Sequence, residues 1–168
     1  MKNKKLRPML LIVLAALLAL GWYRWYSRPQ TLEVLFPDFA WDQIQGVSGN
    51  YREYVPSREG YGSLTTERGQ INLIAKSVPE VTELLALIRS LEFQPIAGSS
   101  STYIPVQEGD FIAELYIQAG VDLIEIKYRI NELTVRRGNN TEYFCDFTGH
   151  EEAARTVFQF IKSHATPL

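Results

Sequence analysis

The chain has 168 residues, with a hydrophobic content of 46% and a charged content of 21%, which are ordinary values for a globular protein. Its net charge of −2 gives no indication of a nucleic-acid partner, and we expect none. The sequence has a single Cys, which excludes an intramolecular disulfide.

The N-terminus has the pattern of a membrane-targeting segment. A basic stretch is followed by an apolar run from Met9 to Leu20, and aromatic side chains come directly after it. A cleaved signal peptide would fit the short apolar run, with Ala19-Leu20-Gly21 as the cleavage site. An uncleaved anchor accounts better for the aromatic cluster, which suits a membrane interface: Trp22, Tyr23, Trp25 and Tyr26. We therefore predict a transmembrane anchor over residues 8–26.

The basic residues predict how this anchor is oriented. More of them precede the apolar run than follow it, where only Arg24 and Arg28 lie nearby; those before it are Lys2, Lys4, Lys5 and Arg7. By the positive-inside rule, residues 1–7 form a cytoplasmic segment and the C-terminal part lies outside the cytoplasm. We expect a linker over residues 27–30 and an extracytoplasmic domain over residues 31–168.

The first part of this domain is predicted to be extended. Leu32–Phe36 is typical of a short strand that ends before Pro37. Gln45–Val55 and Tyr61–Glu67 are predicted as the two strands of a hairpin, joined by a turn over residues 56–60.

Two amphipathic helices are predicted from capping boxes. The first box has Ser77 as N-cap, and its helix runs to about Glu92 with a buried stripe of Val81, Leu84, Leu85, Ile88 and Leu91. The second box has Thr148 as N-cap, and its helix runs to about His164 with a stripe of Ala154, Val157, Phe158 and Ile161. Between them, Phe93–Ile96 is predicted as a short strand and residues 97–109 as a loop.

Residues 110–147 alternate between apolar and polar side chains and are predicted to form a four-stranded antiparallel meander. A turn at Gly120-Val121 pairs Ile117 with Ile124 and Glu114 with Lys127, so that apolar residues face apolar residues and opposite charges meet.

The other two turns of the meander complete its predicted register. A second turn at Asn131-Glu132 pairs Tyr128 with Val135. A three-residue loop over 138–140 pairs Val135 with Tyr143, Leu133 with Cys145 and Arg136 with Glu142, and it buries no acidic residue.

These elements predict an α+β fold. An antiparallel sheet, made of the four-stranded meander and the N-terminal hairpin, carries two helices on one face and is preceded by an N-terminal transmembrane helix.

No residue pattern predicts catalysis. Cys145 faces Leu133 in the predicted register, where a free Cys behaves as a small hydrophobic residue, and the nearby His150 lacks the three or four converging ligands of a metal site. Carboxylates that could form an acid/base pair are more typical of a solvated sheet face; they are Asp110, Glu114, Asp122 and Glu125. We expect no catalytic residue, no metal site and no cofactor.

The outer face of the predicted sheet is the best candidate for binding. It mixes apolar and basic side chains as binding faces often do, although an ordinary solvated sheet face would also fit; the candidate binding residues are Tyr116, Lys127, Arg129 and Arg136. The leading hypothesis is a non-enzymatic, membrane-anchored binding or sensing domain whose partner is a protein or envelope component. The alternatives are a carboxylate-dependent cell-envelope hydrolase and a structural subunit of a membrane complex.

Overall fold

A computed structural model of the chain describes residues 3–57, 63–96, 105–130, 132–138, 141–145 and 149–168, with backbone only for residues 3–7 and 141. Over these residues the fold is α+β, as predicted, and an apolar helix precedes a large antiparallel sheet. The helices of the described residues are α1 Asn3–Tyr26, α2 Leu32–Leu35, α3 Pro79–Ser90 and α4 Glu151–His164. The strands are β1 Gln30–Thr31, β2 Ile44–Pro56, β3 Leu64–Ala75, β4 Glu92–Phe93, β5 Phe111–Ala119, β6 Asp122–Arg129, β7 Glu132–Arg137, β8 Thr141–Cys145 and β9 Thr166–Pro167.

The predicted meander and the predicted hairpin belong to one seven-stranded sheet. Its order is β8-β7-β6-β5-β2-β3-β9, and every neighbouring pair is antiparallel. The pairing of β2 with β5 joins the two units, and β9 extends the far edge. Strands β1 and β4 form a separate two-stranded pair.

Two of the three predicted meander turns are confirmed. Ile117 pairs with Ile124 and Glu114 pairs with Lys127 across β5 and β6. Val135 pairs with Tyr143, Leu133 with Cys145 and Arg136 with Glu142 across β7 and β8. Residues 139 and 140 of the third turn lie outside the described residues.

The predicted second turn is wrong, and the register of β6 with β7 differs from the predicted one by two residues. Tyr128 pairs with Leu133, not with Val135, and Ile130 lies in the turn with a positive φ of 51°. The predicted register would have placed Arg136 directly opposite Lys127, and like charges in that position are destabilising. In the observed register Arg136 lies opposite Glu125 and forms an ion pair with it.

The predicted short strand at Leu32–Phe36 is also wrong, because this segment contains α2. Leu32 and Leu35 are both buried, while Val34 between them is exposed. One helical turn places residues three apart on the same side, whereas an extended chain would send Leu32 and Leu35 to opposite sides.

The two amphipathic helices are present, but the predicted capping is not. The N-cap of α3 is Val78, not Ser77, and it makes no side-chain capping hydrogen bond. The N-cap of α4 is His150, also without such a bond, and Thr148 lies outside the described residues. The four stripe residues of α4 are buried, as are four of the five of α3, where only Leu91 is partly exposed.

Strand boundaries in the hairpin and after α3 differ from the predicted ones. The second hairpin strand continues to Ala75, far beyond the predicted end at Glu67, and Tyr61 lies outside the described residues. After α3, the strand covers Glu92–Phe93, and Pro95 adds an isolated bridge to Cys145.

Helix α4 covers one face of the sheet, which we call the inner face. It packs against β5, β2 and β3, where Phe158 stacks on Phe111 with ring centroids 4.5 Å apart. Gly49 of β2 allows Ile161 of α4 to approach, since a Cβ on Gly49 would lie 3.3 Å from the Ile161 Cδ1. Helix α3 lies beside α4 and α2.

Helix α1 is long and apolar enough to cross a membrane over Pro8–Tyr26, a property that signal sequences share. Its end contacts the folded domain. The rings of Tyr26 and Tyr143 lie 6.3 Å apart, and the buried Gln30 donates from Nε2 to the Tyr26 carbonyl oxygen at 3.2 Å.

Candidate functional site

The candidate site is the outer face of the sheet, opposite to α4. Alternate residues of β5 are buried toward the inner face and half-buried on the outer face. Because residues directly opposite each other in an antiparallel sheet share a face, the pairing places the polar residues of β3, β2, β5, β6 and β7 side by side.

Glu114 is the centre of a polar network on this face. Its Oε2 accepts hydrogen bonds from Asn50 Nδ2 at 2.9 Å and from the Tyr116 hydroxyl at 3.0 Å, and its carboxylate forms an ion pair with Lys127. Three strands supply these groups: β2, β5 and β6. The network therefore ties the middle of the outer face together.

The network shifts the pKa values of its members. Burial alone would raise the pKa of Glu114, but the hydrogen bonds from Lys127, Asn50 and Tyr116, together with the charge of Lys127, bring it below its usual value. The pKa of Tyr116 is raised by burial and by the charge and hydrogen bond of Glu114. Glu114 is therefore ionised and Tyr116 is a neutral donor at neutral pH.

Two further ion pairs lie in the meander. Arg136 forms an ion pair with the buried Glu125, and Arg137 binds Asp122 with an Nη2–Oδ2 distance of 2.6 Å. The Arg137 guanidinium, through hydrogen bonds that outweigh partial burial, lowers the pKa of Asp122.

A row of three arginines crosses the outer face next to the Glu114 network. Arg68 of β3 lies opposite Arg52 of β2, Arg52 lies opposite Ile112 of β5, and Ile112 lies opposite Arg129 of β6. We call Arg68, Arg52 and Arg129 the arginine row. The row and Ile112 line an open cavity of about 340 Å³, together with Asn50 and Glu114.

The four sequence-predicted binding residues occupy three different environments. Tyr116 and Lys127 meet at Glu114. Arg129 lines the cavity, while Arg136 forms an ion pair with Glu125 and lies on β7, three strands from β2. None of these positions is contradicted as a binding residue, and their role stays a prediction.

The sequence patterns did not identify Arg52, Arg68 and Asn50 as candidates. Alternation along the predicted strand Gln45–Val55 places Arg52 and Asn50 together on the face opposite to that of Tyr51. The missing information was the pairing of β2 with β5, which brings those residues beside Ile112 and Glu114.

Cys145 is a packing residue, as predicted. Its side chain is buried opposite Leu133, and burial raises the pKa of its thiol to about 12, so that no thiolate nucleophile is present at neutral pH. His150 stacks on Phe93 with the two rings 7° from parallel. Asp146 lies outside the described residues.

Each of the four carboxylates considered for acid/base catalysis already has a partner in the fold. Glu114, Asp122 and Glu125 are each paired with a basic residue, and Asp110 accepts from the Gln107 backbone N–H at 2.6 Å. Within the part of the chain that the structure describes, no group of three or more His, Cys, Asp and Glu residues is arranged to hold a metal ion.

Comparisons with known proteins found no significant match. No protein-family model matches it, no curated protein is significantly similar in sequence, and no solved structure is significantly similar in fold.

Proposed function

We propose that this protein is a non-enzymatic binding or sensing domain, held at the outer side of a membrane by α1 and binding its partner through the outer face of the sheet. The observation that carries the proposal is the outer face itself. Four strands present there a polar network and an open cavity with three basic side chains, and no described element covers them.

The end of α1 supports its role as an anchor. Tyr26, the last residue of the helix, packs on Tyr143 of β8, and Gln30 binds the Tyr26 carbonyl oxygen, so the helix is joined directly to the folded domain. These contacts would remain after cleavage at Ala19-Leu20-Gly21, so the support for an uncleaved anchor comes from the aromatic cluster. Trp22 and Trp25 are exposed near the end of the helix, where aromatic side chains suit a membrane interface.

The paired carboxylates favour binding over hydrolysis. A general acid at neutral pH needs a raised pKa, whereas the pKa values of Glu114 and Asp122 are both lowered.

Cysteine labelling in intact cells tests the membrane location and its orientation. Val121 lies fully exposed in the turn between β5 and β6, and Cys145 is buried, so the parent chain provides a low background. We expect a membrane-impermeant maleimide to label Val121→Cys in intact cells. Asn3→Cys should be labelled only after lysis, and the reverse pattern would overturn the proposed orientation.

Photo-crosslinking in cells tests the binding face. A photoreactive residue at Ile112, in the outer-face cavity, should give a discrete adduct. The same residue at Glu152, exposed on α4, is the matched control and should give none. An adduct of equal yield from both positions would count against the outer face.

A further inference from the structure

The arginine row is unusual in its lack of carboxylate partners. Arg52 and Arg129 form no ion pair with any residue that the structure describes, although Glu132 lies across from Arg129 on β7. Arg68 donates only from Nε to the Thr66 hydroxyl, at 3.3 Å. The row therefore keeps its positive charge available to a ligand.

The position of Arg52 opposite Arg68 makes this charge costly to the fold. Like charges directly opposite each other across two strands are destabilising. The side-chain carboxylate of Glu114 lines the same cavity, but it is already neutralised by Lys127 and does not relieve the repulsion. An anion bound between Arg52 and Arg68 would relieve it.

The spacing of the row indicates the shape of the ligand. Neighbouring strands lie about 4.8 Å apart, so Arg68 and Arg52 can share one oxyanion while Arg129 lies roughly 10 Å farther along the row. Ile112 separates the two positions and provides an apolar floor. A ligand that spans the row must carry anionic groups along an extended chain.

We propose that the arginine row binds consecutive phosphate groups of a linear, water-soluble polyanion that runs across β3, β2, β5 and β6. Guanidinium groups bind phosphate through paired, charge-assisted hydrogen bonds. The amide side chain of Gln70 lines the same cavity and can donate to ester or bridging oxygens. This inference rests on the proposed binding function and specifies its ligand.

The location of the row favours a soluble polymer over a lipid headgroup. Helix α1 contacts the domain at Tyr143 on β8, whereas the row extends away from it, from Arg129 two strand spacings away to Arg68 five spacings away. Those distances are about 10 and 24 Å, both beyond the Debye length of about 8 Å at physiological salt.

Binding of fluorescent long-chain polyphosphate to the full-length protein tests this proposal. The protein is placed in phosphatidylcholine nanodiscs at about 0.15 M salt, and polyglutamate serves as a polyanion without phosphate. We expect saturable binding of polyphosphate that is several times tighter than binding of polyglutamate and that weakens as salt rises. Equal affinity for the two polymers would overturn the assignment to phosphate.

Arginine substitutions locate the site. Arg52→Gln and Arg129→Gln should each raise the Kd for polyphosphate about tenfold, because each removes a charge-assisted contact. Arg155→Gln makes the same change of charge on α4, at the opposite face, and should stay within about twofold of the parent. An equal loss in Arg155→Gln would show that binding follows net charge alone and would overturn the site.

Folding and lipid controls complete the experiment. Because Arg52→Gln relieves repulsion from Arg68, its thermal midpoint should equal or exceed that of the parent, so loss of binding cannot be attributed to unfolding. Phosphatidylglycerol nanodiscs should leave polyphosphate binding unchanged. Loss of binding in them would assign the row to lipid headgroups instead.

The two proposals fail in different ways. Correct labelling of Val121→Cys in cells, together with no polyphosphate binding in vitro, would overturn the ligand class and leave the anchored binding domain in place. Reversed labelling with intact polyphosphate binding would overturn the orientation and leave the arginine row as a phosphate site.

Discussion

The meander half of the sheet (β5–β8) and the hairpin half (β2 and β3) carry their basic residues in different environments. In the meander half, three of the four basic residues have a carboxylate partner, namely Lys127, Arg136 and Arg137, whereas Arg129 of the arginine row has none among the described residues. In the hairpin half, Arg52 and Arg68 lie opposite each other, and no described carboxylate pairs with them. Side-chain pairs thus stabilise the first half, while the second retains charge that a ligand can use.

The two halves also differ in how they meet α4. Glycines in the hairpin half allow close approach, as Gly49 does toward Ile161 and Gly69 toward Tyr51 and Ala165. The meander half instead presents fully buried aliphatic side chains such as Leu115 and Ile126. The hairpin strands are therefore placed by close tertiary contacts at their glycines. The meander strands are placed by cross-strand pairs of large buried side chains.

The largest expected effect comes from Gly49→Ala in the hairpin half. The added Cβ would lie 2.5 Å from the Glu114 carbonyl oxygen and 3.3 Å from Ile161 Cδ1, so β2, β5 or α4 must shift. We expect the free energy of unfolding to fall by about 3 kcal/mol, measured by urea denaturation.

Gly120→Ala is the matched control for the loss of a glycine. Gly120 has open space around it and a φ of 61°, so an alanine there is strained only by the left-handed backbone conformation. We expect this strain to lower the free energy of unfolding by about 1–2 kcal/mol. If Gly49→Ala lowered the free energy of unfolding no more than Gly120→Ala, the close approach of α4 to β2 would not determine the stability of the hairpin half.

Glu114→Gln should have the next largest effect and tests the pairs of the meander half. The change leaves Lys127 without its carboxylate partner and weakens the acceptor for Asn50 and Tyr116. We expect a loss of about 1–2 kcal/mol in unfolding free energy. Arg52→Gln, which removes no ion pair, should show no such loss, and a similar loss in both variants would remove the distinction between the halves.

Acid should weaken the meander half selectively. The pKa values of Glu114 and Asp122 are lowered in the fold from their ordinary values of 4.5 and 3.8. Their contribution is therefore fully present above those ordinary values and is lost as the pH falls through the lower folded values. The thermal midpoint of the parent chain should fall as the pH falls through this window. In the double variant Glu114→Gln/Asp122→Asn it should fall less steeply. An unchanged slope would argue against these two pairs.

The smallest expected effect is that of Tyr128→Phe. The Tyr128 hydroxyl is buried and has no hydrogen-bond partner among the described residues, so its removal should change the unfolding free energy by less than about 1 kcal/mol, toward greater stability. Tyr116→Phe is the control, because that hydroxyl donates to Glu114 and its removal should destabilise. Scanning calorimetry of both variants distinguishes the two hydroxyls.

Local patterns were sufficient for two of the three pairings between consecutive strands of the meander. The β5–β6 pairing was predictable because a turn at Gly120-Val121 places the buried apolar residues in the middle of β5 opposite buried residues of β6. The β6–β7 pairing was not, because a shift by two residues keeps every side chain on its face. Charges on the outer face distinguish these two registers, and the observed one separates Arg136 from Lys127.

The sequence by itself determined the apolar N-terminal helix, the α+β class, the amphipathic stripes of α3 and α4, and Cys145 as a core residue, since each follows from periodicity within a short segment. Only the tertiary structure decided that β2 lies beside β5. That pairing joins residues about sixty positions apart, which no local pattern specifies, and it alone brings Arg52 and Arg68 into one row with Arg129.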